Sequence, residues 1–106
     1  MPRIKAQNVN HPEHTENLNA EKYALIREAM LATLPSHESG EGMAFNDLEE
    51  KVAAYLMKKE VSPELFPKPG SVRWYTKAVQ LDLEARGEIE RLPGKSPIHL
   101  RKQANP

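Results

Sequence analysis

The sequence predicts one α+β domain, mainly helical, in which three helices are followed by a C-terminal β-hairpin. Three observations carry that reading. A length of 106 residues is enough for one hydrophobic core and too little for two. Three segments of helical apolar period are separated by proline and glycine. Two short β-prone runs flank Pro93-Gly94. Hydrophobic content of 39% with 28% charged residues is that of an ordinary globular chain, and the nine prolines mark part of the length as loop or tail. The folded portion is expected to be about 80 residues.

Residues 1–18 are polar and show neither helical nor strand periodicity, so they read as a flexible N-terminal arm. Asn19 is a good N-cap for a first helix from Ala20 to about Leu34. Within it Tyr23, Ile26, Met30 and Leu34 recur on one face, with Glu21, Arg27 and Glu28 turned to water. Pro35 ends this helix, and Ser36 to Gly42 is loop by composition. Met43-Ala44-Phe45 has room for a very short strand. Asn46-x-x-Glu49 then resembles a capping box, opening a second helix that runs to about Lys58 with Leu48, Val52 and Tyr55/Leu56 as its apolar stripe. Ser62-Pro63 can start a single helical turn. Ser71 reads as the N-cap of the third helix, which runs from Val72 to Arg86, and Gly87 suits the left-handed position just beyond a helix end. Glu88–Leu92 and Ile98–Lys102 are the strands of the hairpin, joined through a Pro-Gly turn. Residues 103–106 read as a disordered tail.

The order helix, short strand, helix, helix, hairpin resembles the winged helix-turn-helix superfamily. So does the run Leu83-Glu84-Ala85-Arg86-Gly87-Glu88-Ile89-Glu90-Arg91, which is similar to the junction between recognition helix and wing. Glu88 departs from the apolar residue usual there. Arg73-Trp74-Tyr75-Thr76-Lys77 followed by Val79-Gln80-Leu81-Asp82-Leu83-Glu84 also resembles a small family of uncharacterised bacterial winged-helix-like proteins. The resemblance implies a winged helix-turn-helix domain over residues 19–102. It further implies double-stranded DNA as partner, read by the third helix with the hairpin as wing. Winged helices also serve as protein-docking and dimerisation modules, so the fold does not by itself choose between these roles.

On a helical wheel the third helix has two apolar sides, one of Val72, Tyr75, Val79 and Leu83 and the other of Trp74, Ala78, Leu81 and Ala85. A narrow polar stripe of Arg73, Lys77, Gln80 and Glu84 lies between them. Arg73, Lys77 and Gln80 can donate to phosphates or base edges, and Arg91, Lys95 and Arg101 on the wing can add backbone contacts. These six are the expected DNA-binding residues. The same charges have a structural reading, because a helix buried on two sides must solvate some stripe, and cations on an edge hairpin block aggregation. Trp74, the sole tryptophan, is expected in the core. If exposed, it forms with Leu81 an apolar patch for a partner chain or a second copy.

Formal net charge is zero, which argues against a grip on nucleic acid through bulk charge. The average hides a dipole: residues 1–66 carry 7 Lys/Arg against 11 Asp/Glu, and residues 67–106 carry 8 against 4. The basic half holds the expected binding elements. With no cysteine, thiolate catalysis and cysteine-ligated metals are excluded. His11-x-x-His14 has metal-like spacing in a segment without preformed geometry, and His37 has no identifiable partner, so no metal or cofactor is expected. No phosphate-binding loop or nucleophile turn is present, and no enzyme activity is expected. No apolar run suits a membrane span or a secretory signal. The sequence is thus read as a cytoplasmic DNA-binding protein, a transcriptional regulator acting as a homodimer. The alternative is a non-catalytic docking or homo-dimerisation module.

Overall fold

The three helices form where the apolar period places them, in a computed structural model that describes residues 2–68 and 70–104. Helix α1 (Ala20–Thr33) begins at Asn19, whose side-chain oxygen accepts from the Glu21 and Lys22 backbone N–H groups. Its predicted face of Tyr23, Ile26, Met30 and Leu34 is buried. Helix α2 (Phe45–Lys58) buries Leu48, Val52 and Leu56. It starts one residue before the predicted capping box, and its N-cap is Ala44, with no side-chain bond. Asn46 instead accepts from Arg73, and so does Glu49, so both predicted capping side chains serve α3. Helix α3 (Ser71–Ala85) takes Gly70 as N-cap, not Ser71, whose hydroxyl is buried without a hydrogen-bond partner. The predicted turn at Pro63 is a single 3-10 turn, Pro63–Leu65.

The fold is α+β: three helices with two small antiparallel sheets. Strands β1 (Arg3–Gln7) and β2 (Thr15–Asn19) form a hairpin, in register from Arg3 with Asn19 to Gln7 with Thr15. Strands β3 (Met43–Ala44), β4 (Ile89–Arg91) and β5 (His99–Lys102) make the second sheet in the order β3-β5-β4. Gly42 lies so close to β5 and the wing that an added Cβ would stand 2.8 Å from the Leu92 side chain. The exit from α3 is a Schellman motif. The Glu88 N–H donates to the Leu83 carbonyl and the Gly87 N–H to that of Glu84, with Gly87 at φ 77°. This turn drops Ile89 into the core beside Leu83 and Leu100.

The flexible arm predicted for residues 1–18 is not what the chain forms. Ile4 pairs with Leu18 and Ala6 with Glu16. Ala6 and Leu18 are buried, with Ile4 packed against the same core. Three small or medium apolar residues on one face suffice because α3 supplies the other side of the contact. At the far end, the Gln103 N–H donates to the Glu88 carbonyl, which anchors the first residue of the predicted tail. Residues 105 and 106 of that tail lie outside the described residues. Among the described residues no helix is long and apolar enough to cross a membrane.

Candidate functional site

Helix α3 is the element every binding hypothesis needs, and the packing around it decides which of its side chains are free. Thr76, Val79, Gln80, Asp82 and Leu83 are buried. Tyr75 packs edge-on against Phe66 and Trp74. The N-terminal hairpin lies along the flank of α3 that carries Asp82. There the Gln7 N–H donates to Asp82 Oδ1 at 2.7 Å, and Arg86 donates to the Lys5 carbonyl at 3.3 Å. These two bonds occupy the outer edge of β1.

Asp82 is fully buried and also accepts from the Tyr23 hydroxyl and from Arg86 Nε. Burial, with the Asp82 carboxylate as acceptor and neighbour, pushes the Tyr23 hydroxyl well above the usual phenol range. Asp82 thus joins α1, α3 and the hairpin. Sequence reasoning missed it, although an aspartate at a position the wheel makes apolar is a readable signal of a buried polar network.

Of the six predicted DNA-binding residues, Gln80 is the clearest correction: it is fully buried, donating to Glu84 and accepting from Lys77. The helical wheel put it in the polar stripe, but α3 is covered across a wider arc than one apolar side requires. Arg73 is exposed and donates to Glu49 and Asn46. Arg91 holds Glu84 through two bonds of 3.0 Å. Arg101 donates to Glu90, which also bonds His37 Nδ1 at 3.0 Å. The loop histidine therefore has a partner after all.

Arg101 stands opposite Glu90 in the hairpin, whereas Arg91 stands opposite the buried Leu100. With side chains alternating along a strand, Arg91 faces α3 and Arg101 the reverse side of the wing. The predicted set therefore does not converge on one face. What does converge is smaller: Arg73, Lys77 and Lys95 border a groove of ≈ 540 Å³ between the start of α2, α3 and the wing loop. Arg73 and Lys77 both lie over the Phe45 ring, 5.1 and 5.0 Å from its centroid. Burial, then repulsion from Arg91, pulls the Lys77 ammonium below the usual lysine range.

Trp74, expected in the core, is 50% exposed. Together with Ala78 and Leu81 it lines a cleft of ≈ 140 Å³ whose opposite wall is the hairpin at Ala6, Asn8 and Glu16. Ala85 with Val9 and Pro12 lines a neighbouring cleft of ≈ 240 Å³. On the second apolar side of α3, Trp74 and Ala85 are therefore exposed, while Ala78 and Leu81 are half-buried beside the core and the hairpin.

His11 and His14 sit beside different carboxylates, Glu13 and Glu16. No group of three or more metal-binding side chains is assembled among the described residues. Comparison with known proteins finds no curated protein and no solved structure that matches. Residues 3–100, from the N-terminal hairpin through the wing, match a protein-family model described as a family of unknown function, DUF6958. The chain belongs to the DUF6958 family.

Proposed function

We propose that this chain is a non-catalytic docking module on a winged helix-turn-helix plan, presenting the exposed side of α3 to a protein surface. The plan is supported by the order helix, strand, two helices, hairpin, and by the sheet order β3-β5-β4, which sets the strand after α1 beside the last strand. One observation carries the docking role. The outward side of α3 holds the half-exposed Trp74 and the exposed Ala85, with Ala78 and Leu81 half-buried between them, while each arginine of residues 67–106 lies on a carboxylate. An indole half in water forfeits hydrophobic gain unless something covers it. Cations already paired add little to phosphate binding, and Glu84, held beside the stripe, repels phosphate.

DNA binding is the second reading, favoured by the groove that Arg73, Lys77 and Lys95 share. Three neutralised phosphates predict a log-log salt slope of roughly −2.7. A titration of random duplex DNA between about 50 and 200 mM salt distinguishes the two. Docking expects no saturable binding and DNA reading expects that slope, reduced by about two units when Arg73 and Lys77 are both replaced by alanine. The double replacement should change stability by no more than about 1 kcal/mol, since Arg73 is exposed and Lys77 only partly covered. Trp74→Ala should likewise leave Tm within a few degrees of the unaltered chain. A salt-dependent slope carried by Arg73 and Lys77 would overturn the docking reading.

A further inference from the structure

The three cations around the groove between α2, α3 and the wing loop keep donors that the fold does not use. Arg73 bonds Asn46 and Glu49 through Nη1 alone, which leaves Nε and Nη2 without a partner among the described residues. Lys77 uses one of its three donors, toward the neutral amide oxygen of Gln80 at 3.1 Å. Lys95 is exposed and stands outside the ion pairs of this side of the molecule. Among the described residues no carboxylate lines the groove. Burial, then Arg91, already works against the Lys77 ammonium, so an anion placed there relieves a repulsion that the fold leaves standing.

These cations meet at a spot and not along a line. Glu84 stands about 10 Å beyond Lys77 on α3 at 1.5 Å per residue, held there by Arg91. A run of phosphates laid along the helix meets that carboxylate, whereas a single phosphate group at the Arg73 end meets only the groove. The unused donors outnumber what one carboxylate accepts and suit the three oxygens and nearly double charge of a phosphorylated side chain. Lys77 also lines the neighbouring cleft with Trp74, Ala78 and Leu81. Its ≈ 140 Å³ suit one apolar side chain, since a cavity of about 150 Å³ takes up a benzene ring. An anion site and an apolar site thus share one wall. From this juxtaposition we infer that the partner docking on α3 is a protein segment with a phosphorylated side chain, its phosphate held by Arg73, Lys77 and Lys95 and a neighbouring apolar side chain set against Trp74 and Leu81. The inference rests on the docking reading and names the chemistry of the partner.

Capped pentapeptides of the pattern Leu-Gly-X-Gly-Leu, with X phosphoserine, glutamate or serine, test it by NMR titration of the full chain. The signals followed are the Trp74 indole N–H and the side chains of Lys77 and Lys95. The phosphoserine peptide is expected to move all three and to saturate between about 10 μM and 1 mM. The glutamate peptide should bind roughly tenfold more weakly, and the serine peptide should leave the lysines unmoved. Replacing Lys77→Gln and Lys95→Gln together should weaken phosphoserine binding roughly tenfold or more, with an unchanged circular dichroism spectrum showing that the variant is folded. Equal binding of the phosphoserine and glutamate peptides, or a phosphoserine response that the lysine replacements do not alter, overturns the phosphate site. Lysine shifts beside an unmoved Trp74 indole overturn the shared wall. Random duplex DNA that displaces the peptide with the salt slope of the second reading overturns both this inference and the docking reading. Failure to bind any of the peptides overturns the inference alone, because the docking reading is tested separately by the DNA titration.

Discussion

Asp82 accepts hydrogen bonds from the Gln7 backbone, the Tyr23 hydroxyl and Arg86 while fully buried, which makes it the residue on which the N-terminal hairpin depends. A buried carboxylate is tolerated only when its oxygens are satisfied, and removing it strands three donors at once. Asp82→Ala should cost about 3–5 kcal/mol in urea unfolding. Asp82→Asn, which keeps one carbonyl oxygen for Gln7, should cost less, about 1–3 kcal/mol. Equal losses would show that charge, not acceptor count, carries the site.

Tyr23 supplies the accompanying pH dependence. Burial and the Asp82 carboxylate raise its hydroxyl above the ordinary value of 10.0, so the folded chain holds that proton more tightly than the unfolded one. Its stabilising contribution is complete below pH 10 and is lost as pH rises beyond it. Thermal melts at pH 9 and above should fall with a shallower slope in Tyr23→Phe than in the unaltered chain, whereas superimposable slopes would remove Tyr23 from the alkaline transition.

At the scale of elements, β1 and β2 illustrate how little local signal a strand needs when its edge is covered. β1 puts Ile4 and Ala6 on one face, and β2 adds Leu18. An isolated hairpin with so small an apolar face would not hold in water. Here α3 donates the missing packing, and Asp82 and Arg86 satisfy the β1 backbone. A chain shortened to begin at Asn19 uncovers the Asp82 network and loses the contacts of Ala6 and Leu18. Its expected loss is about 2–5 kcal/mol, seen as a lower urea midpoint. An unchanged midpoint would return residues 1–18 to the status of a dispensable arm. The wing, by contrast, is dictated locally. Gly87 closes the Schellman turn, and the one-residue step from Glu88 to Ile89 sets which face of β4 meets the core.

For the whole molecule, the arginines of the basic half are already paired within the fold. The arginines of residues 67–106 are held by Glu49, Asp82, Glu84 and Glu90, and Arg27 of the acidic half reaches over to Glu88. Glu88, the departure from the usual junction, is therefore an anchor between α1 and the wing. Lys102 adds a bond from Nζ to the Leu31 carbonyl near the end of α1. What is left to face a ligand on the α3–wing side is mainly lysine, Lys77 and Lys95, beside an apolar strip that the charge pattern does not reveal.

The apolar period of each helix, the Asn19 cap, the glycine exit after α3 and the Pro-Gly hairpin were all legible by themselves, because each depends on neighbours three or four residues away or on a backbone angle only glycine adopts readily. The two apolar sides of α3 were legible as well. Which side would be buried was not, because that depends on where the N-terminal hairpin, α1 and the wing come to rest. Gln80 went inward and Trp74 stayed outward, the reverse of what side-chain polarity implies, since the partners that satisfy Gln80 include Glu84, itself fixed by Arg91 of the wing. Tertiary packing alone placed Arg91 and Arg101 on opposite faces, built the Asp82 network from residues 75 positions apart in the chain, and left Trp74 and Ala85 exposed on the strip of α3 on which the docking proposal stands.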